Sequence, residues 1–113
     1  MIKIRLAEID APELKQAFGV ESKSCLKELI KQSDGKVFFK FKEKDRYKRH
    51  VGWLYSEDLD INLEMVKRGC AWVYDRYVER KVLFKHQNLA KKNKLGLWKN
   101  ANAIKPSDWR RLN

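Results

Sequence analysis

Cysteine, proline and glycine are scarce in this chain: two, two and five of 113 residues. Cys25 and Cys70 are too few for a disulfide scaffold and lack the paired spacing of a zinc site. Buried free thiols are therefore the expected state, with a single bridge as the alternative. No repeat, low-complexity segment or interdomain linker is present, so residues 1–113 read as one domain with residues 97–113 as a tail packed on it. No apolar run approaches the roughly 18 residues of a spanning helix, and the start lacks a signal-peptide pattern. As given, the chain reads as cytoplasmic; a start further upstream would open secretion or the periplasm. Acidic residues are also short: 15 Asp and Glu against 26 Lys and Arg leave a formal charge of +11. Such a field attracts polyanions, which makes nucleic acid the leading partner and an anionic membrane surface the main competitor.

The 43% hydrophobic content is that of a protein with a core, and its patterning predicts an α+β chain. Ile2, Ile4 and Leu6 alternate with Lys3 and Arg5, which predicts a strand through Ile9. Pro12 pushes Ala11 toward extended geometry, so a turn and loop follow to Gly19. Cys25, Leu26, Leu29 and Ile30 recur at helical spacing from about Val20, with Gly35 as the stop. Val37, Phe39 and Phe41 alternate with lysines, and residues 50–55 are again β-branched and aromatic. A hairpin with a basic loop, residues 43–49, joins them. Asp60 or Asn62 can cap a short helix ended by Gly69, residues 71–74 run extended, and a charged helix over 78–94 stops at Gly96.

The stretch from Arg5 to Glu13 carries the clearest chemistry. A hard cation such as calcium takes oxygen ligands, and the Asp10 carboxylate with the Ala11 carbonyl offers two from one turn. Glu13, three residues on, suits the activation of a water beside that ion. Arginine forks match the equatorial oxygens of a phosphoryl transition state, and Arg5 and Arg49 are the candidates. Spacing alone does not bring those two together. Each feature also has a plainer reading: a solvated turn at Asp10, an exposed strand residue at Arg5, a hairpin tip whose lysines deter edge pairing. His50 and His86 read as structural or surface residues, and Tyr74 and Tyr77 suit a core and its rim as well as a phosphate or a base. Composition and spacing alone thus rank a nucleic-acid-binding domain above an enzyme.

A resemblance reverses that ranking. Arg5-Leu through Asp10-Ala-Pro-Glu13, with Gln16-Ala-Phe-Gly19 and Ser22, closely resembles the staphylococcal nuclease (thermonuclease) family. Asp45-Arg-Tyr47-Lys-Arg49 looks like its Asp-x-Tyr-Gly-Arg loop, Asn62-Leu-Glu-Met-Val with Gly69 like its short helix, and Ala71-Trp-Val-Tyr74 with Tyr77 like its tyrosine segment. Lys94-Leu-Gly-Leu-Trp98 is similar to the end of its last helix, and Pro106-Ser-Asp-Trp109-Arg-Arg to the tail of bacterial and plasmid-borne members. The resemblance implies an OB-fold-type five-stranded barrel with three helices. It also implies a calcium-dependent endonuclease that cuts DNA and RNA to 3′-phosphate products. Under it Asp10 and the Ala11 carbonyl hold the ion and Glu13 activates the water, reaching the ion through it. Arg5 and Arg49 hold the phosphate, Arg46 and Tyr47 meet the terminal phosphate, and Tyr77 or Tyr74 stacks on the substrate, with Tyr77 the choice.

Two departures accompany the resemblance. Lys48 stands at the loop glycine, which predicts strain if that position needs a positive φ. The family also has two strands and an Asp-Gly-Asp-type calcium ligand before the arginine strand, and this chain starts after them. The expectation is therefore a barrel without its first two strands, with weakened calcium binding and unpaired edges inviting a homodimer or strand exchange. A remnant that binds nucleic acid without cutting it is the alternative function.

Overall fold

The first alternating stretch does not run through as one strand. The structure, a computed structural model, describes residues 2–113; Met1, the first residue of the expected strand, lies outside the described residues. β1 is Ile4–Leu6 and β2 is Ile9–Asp10, divided by Glu8, whose φ of 69° lies in the left-handed region. A non-glycine residue there costs about 1–2 kcal/mol, so its neighbours must hold it. They do so through its carboxylate, which accepts the Trp53 indole N–H (2.8 Å), the backbone N–H of Glu79 (3.0 Å) and Arg80 (2.8 Å), and the Arg80 Nε–H (2.7 Å). Burial alone would raise the Glu8 carboxyl, but these donors outweigh it and hold the group at about 2.

The remaining elements follow in order: α1 Gly19–Gln32, β3 Phe38–Lys44, β4 His50–Tyr55, α2 Ile61–Lys67, β5 Trp72–Val73, α3 Val82–Lys92, a 3₁₀ turn Gly96–Lys99 and α4 Pro106–Leu112. β4 lies between β1, which it pairs in parallel, and β3, which it pairs antiparallel with a register shift between Phe41 and Glu43. β2 and β5 form a separate antiparallel pair. The α+β class is as expected, but among the described residues the strands make two sheets and no closed barrel. The split at Glu8 is what separates them. A further correction concerns the helices, which number four among the described residues where three were expected. Pro106, buried at the first turn of α4, supplies a preset φ at a position whose N–H needs no partner.

α2 is the centre of the packing. Asp60, one of the two expected caps, accepts the Leu63 N–H at 3.0 Å. Asn62, the other, is buried and has a different task. It accepts the Leu54 N–H and donates to the carbonyls of Ala7 and Gly52, tying the helix to β4 and to the residue that follows β1. Ile61, Met65 and Val66 are almost fully buried against Leu29 of α1 and Leu83 of α3, each worth about 1.5–3 kcal/mol.

Docking α1 on α2 overturns the expectation for the cysteines. Cys25 and Cys70 form a disulfide, with Cα atoms 6.4 Å apart, and Ser22 Oγ–H donates to the Cys70 carbonyl beside it. The bridge spans a sequence separation of 45 residues, so its removal releases considerable loop entropy in the unfolded chain. Cys70→Ser is expected to lower stability by about 2–4 kcal/mol, read from urea denaturation of variant and parent under non-reducing conditions. Equal midpoints would show that the bridge contributes nothing.

Candidate active site

Asp10 closes β2, and Pro12 turns the chain so that Glu13 follows within the same loop. Gln16 holds that turn together. Its Oε1 accepts the Glu13 N–H (3.1 Å), its own N–H donates to the Glu13 carbonyl (2.8 Å), and its Nε2–H donates to the Ile104 carbonyl (2.6 Å). Gly19 lets the loop fold back on itself, since a Cβ there would lie 2.0 Å from the Glu13 carbonyl oxygen. Asp10 is buried, Ala11 and Glu13 are half-buried, and Arg5 Nη2 reaches to 3.8 Å from Asp10 Oδ1. Burial pushes the Asp10 carboxyl above its ordinary value, and the guanidinium groups of Arg110 and Arg5 offset only part of that rise.

Arg49 arrives from the β3–β4 loop under the control of Asp45. One Asp45 oxygen accepts the N–H groups of Tyr47 and Arg49, both at 2.9 Å, and the other accepts the Arg49 Nε–H at 2.7 Å. The same carboxylate therefore shapes the turn and aims the guanidinium. Burial opposes ionisation of Asp45, but the hydrogen bonds from Arg49 and Tyr47 win and lower its pKa. Lys48 has a φ of 63°, so the lysine at the glycine position does sit in the left-handed region. Lys48→Gly is expected to stabilise the protein by up to about 1 kcal/mol, the left-handed penalty less glycine's own entropy. A rise in thermal midpoint checks this, and a fall would show that the lysine is held by contacts worth more than the strain.

Parallel pairing of β1 and β4 aligns Ile4 with His50 and Arg5 with Val51. That register puts Arg5 and Arg49, 44 positions apart in the chain, on one cleft of about 550 Å³. Arg46, Arg76, Tyr47, Tyr74 and Tyr77 share its walls. The Arg5 guanidinium lies over the Tyr74 ring (5.0 Å), and Tyr77 meets Tyr74 edge-on at 5.1 Å while remaining 61% exposed. Arg46 and Arg49 both lie over the Tyr47 ring, and Arg46 Nη2–H donates to the Tyr47 hydroxyl at 2.9 Å. Asp10 meets this cleft through its contact with Arg5, while neither Asp10 nor Glu13 is among the residues that line it.

Between the two carboxylates sits a residue that the sequence did not single out. Arg110 of α4 donates from Nη1 to Glu13 Oε1 (2.6 Å) and, more loosely, to Asp10 Oδ1 (3.4 Å), and from Nη2 to Asp10 Oδ2 (3.2 Å). Its partners lie 100 and 97 residues away in sequence, beyond any local signal. Arg76 and the ordering roles of Gln16 and Asp45 were likewise missed as parts of the site, although Gln16 and Asp45 stood in the motifs.

The donor set can be judged from this arrangement. Two carboxylates and a neighbouring carbonyl are hard oxygen ligands, and the two carboxylates already hold a cationic group, the Arg110 guanidinium. A calcium ion takes six to eight oxygens, so Asp10, Ala11 and Glu13 fit such an ion only with water completing its shell. Among the described residues no group of three or more His, Cys, Asp or Glu side chains is placed to hold a metal ion.

A buried carboxylate beside a cleft lined by guanidinium groups and tyrosines defines an α+β protein with a cleft suited to an anionic ligand. The sequence profile of the staphylococcal nuclease homologues matches residues 3–100, and the chain belongs to that family. That family has an OB-like α+β fold. A Haemophilus influenzae protein named as an endonuclease is 47% identical over 110 residues; the match covers 97% of this chain and 61% of that protein. An Escherichia coli endonuclease is 41% identical across 96% of this chain and 71% of its own length. The staphylococcal-like nuclease CAN1 of Arabidopsis thaliana is 38% identical across 96% of this chain and 33% of its own. The chain thus spans about three fifths of the Haemophilus protein and a third of the plant one.

Proposed function

We propose that this protein is a calcium-dependent endonuclease that hydrolyses DNA and RNA to 3′-phosphate products. The single observation that carries the reading is the convergence of Arg5 and Arg49 on one cleft, with Asp10 in contact with Arg5 and joined to Glu13 through Arg110. Family membership and the names of the relatives support it.

In this reading the arginine forks bind the equatorial oxygens of the scissile phosphate and stabilise the charge that builds there. Calcium held by Asp10 and the Ala11 carbonyl would add Lewis-acid charge at the same phosphate. Glu13 takes a proton from the attacking water, whose oxygen bonds to phosphorus as the bond from phosphorus to O5′ breaks; O5′ leaves as a hydroxyl with a proton from solvent, and the phosphate stays on the 3′ end. Arg46 and Tyr47, paired on the cleft wall, suit a terminal phosphate. Tyr74 lies under Arg5, which leaves the exposed Tyr77 as the ring open to a base. The Cys25–Cys70 bridge supports an oxidising compartment as the working location.

A second reading, binding without cleavage, draws on Arg110, which engages both carboxylates. Incubating the protein with single-stranded DNA separates the two. Degradation that requires calcium and stops with chelator supports the nuclease; full affinity with intact DNA at every calcium concentration would leave only the binding module.

A further inference from the structure

α4 lies outside residues 3–100, the part matched by the family profile, yet it delivers the group that touches both carboxylates of the candidate site. Its base is firmly attached: Pro106 is buried, Gln16 Nε2–H donates to the Ile104 carbonyl, and Lys105 pairs with Asp75 at 2.9 Å. Its far end is held differently. Residues 110–113 are exposed, Arg111 pairs within the helix with Asp108, and Asn113 donates to the Trp109 carbonyl. Arg110 is the side chain that fastens this end to the body of the protein, through Asp10 and Glu13. A seven-residue helix is too short to persist in water without such contacts.

We propose that α4 is an internal latch on the cation site: the Arg110 guanidinium and a divalent cation compete for the Asp10 and Glu13 oxygens, and binding the cation frees the outer end of α4. This rests on the nuclease reading only for the identity of the ion. The geometry makes the two occupants exclusive. A calcium ion on Asp10 sits about 2.3–2.6 Å from the oxygens it binds, and the water between it and Glu13 needs a Glu13 oxygen; Arg110 nitrogens already lie 3.2 Å from Asp10 and 2.6 Å from Glu13. Two positive groups crowded onto the same oxygens also repel. The contact is a forked one to a buried carboxylate, but Arg110 itself is 40% exposed, so the closed form is favoured modestly. By linkage, the latch lowers the apparent calcium affinity by the same factor that calcium opens the latch.

The full chain tests this without any assay of activity. Calorimetric titration with calcium chloride is expected to show Arg110→Ala binding about ten-fold more tightly than the parent. Arg111→Ala, which removes an equal charge one residue along, should match the parent. Amide hydrogen exchange on the parent protein should rise across residues 106–112 when calcium is added. Equal affinities for Arg110→Ala and the parent, equal tightening by both substitutions, or exchange in α4 that ignores bound calcium would each overturn the latch while leaving the cation site intact. Absence of calcium binding by parent and Arg110→Ala alike would overturn the latch and the calcium-dependent reading together.

Discussion

Glu13→Gln is expected to reduce calcium-supported cleavage of single-stranded DNA by about 10²–10⁴-fold, the usual contribution of a positioned general base. The amide keeps the size of the side chain and an oxygen that can still accept from Arg110, so the fold is undisturbed. It cannot take a proton from water. Arg49→Ala should lose about 10²–10³-fold, the typical effect of removing one fixed donor from a developing oxyanion. Because the Arg49 side chain faces the cleft and pairs with Asp45 and the Tyr47 ring near the surface, that loss should come with little change in thermal midpoint. Rates of labelled-oligonucleotide cleavage at saturating calcium check both. Parent-like rates in Glu13→Gln would remove Glu13 from the mechanism.

Glu8→Ala is expected to cost about 3–5 kcal/mol of stability, the range found when one partner of a buried ionic network is deleted. Four donors converge on this carboxylate, and Arg80 is shared with Asp60. Alanine would leave the Trp53 indole, two backbone N–H groups and the Arg80 Nε–H without their acceptor, in a backbone conformation that alanine also dislikes. Gln is no remedy. Its amide group would point N–H at N–H where the carboxylate now accepts on both oxygens. Domains of this size have about 5–15 kcal/mol in hand, so the loss is a large share of the whole. The charge also predicts a pH dependence. Folding lowers the Glu8 carboxyl from an ordinary 4.5 to about 2. Its contribution is therefore complete above about 4.5 and fades as pH falls from there toward 2. Chemical denaturation from pH 6 to pH 2 should show that decline in the parent and a shallower one in Glu8→Ala; parallel curves would show that the network does not depend on the charge.

How much of this was legible depended on the range of each interaction. The β3–β4 hairpin announced itself by alternation, and α2 by its Asp60 cap and Gly69 stop, because both signals are local. Glu8 looked like one more residue of a strand. Its left-handed turn is stable only because residues 53, 79 and 80 bring their donors to it, and no pattern near Glu8 encodes that. Arg5 and Arg49 were each legible as candidates to bind phosphate, yet their meeting required the parallel pairing of β1 with β4. Cys25 and Cys70 were separated by the same kind of distance: α1 had to dock on α2 before a bridge could form. Arg110 was the least legible, since nothing in a seven-residue tail helix points to carboxylates a hundred residues earlier.

The most direct test of the nuclease proposal uses one defined, 5′-labelled single-stranded oligonucleotide and the parent protein, with calcium in one reaction and chelator in the other, and reads the ends of the products. Fragments ending in 3′-phosphate, formed only with calcium, are the predicted result. An oligonucleotide that is bound but uncut, or fragments that form equally well in chelator, would contradict it.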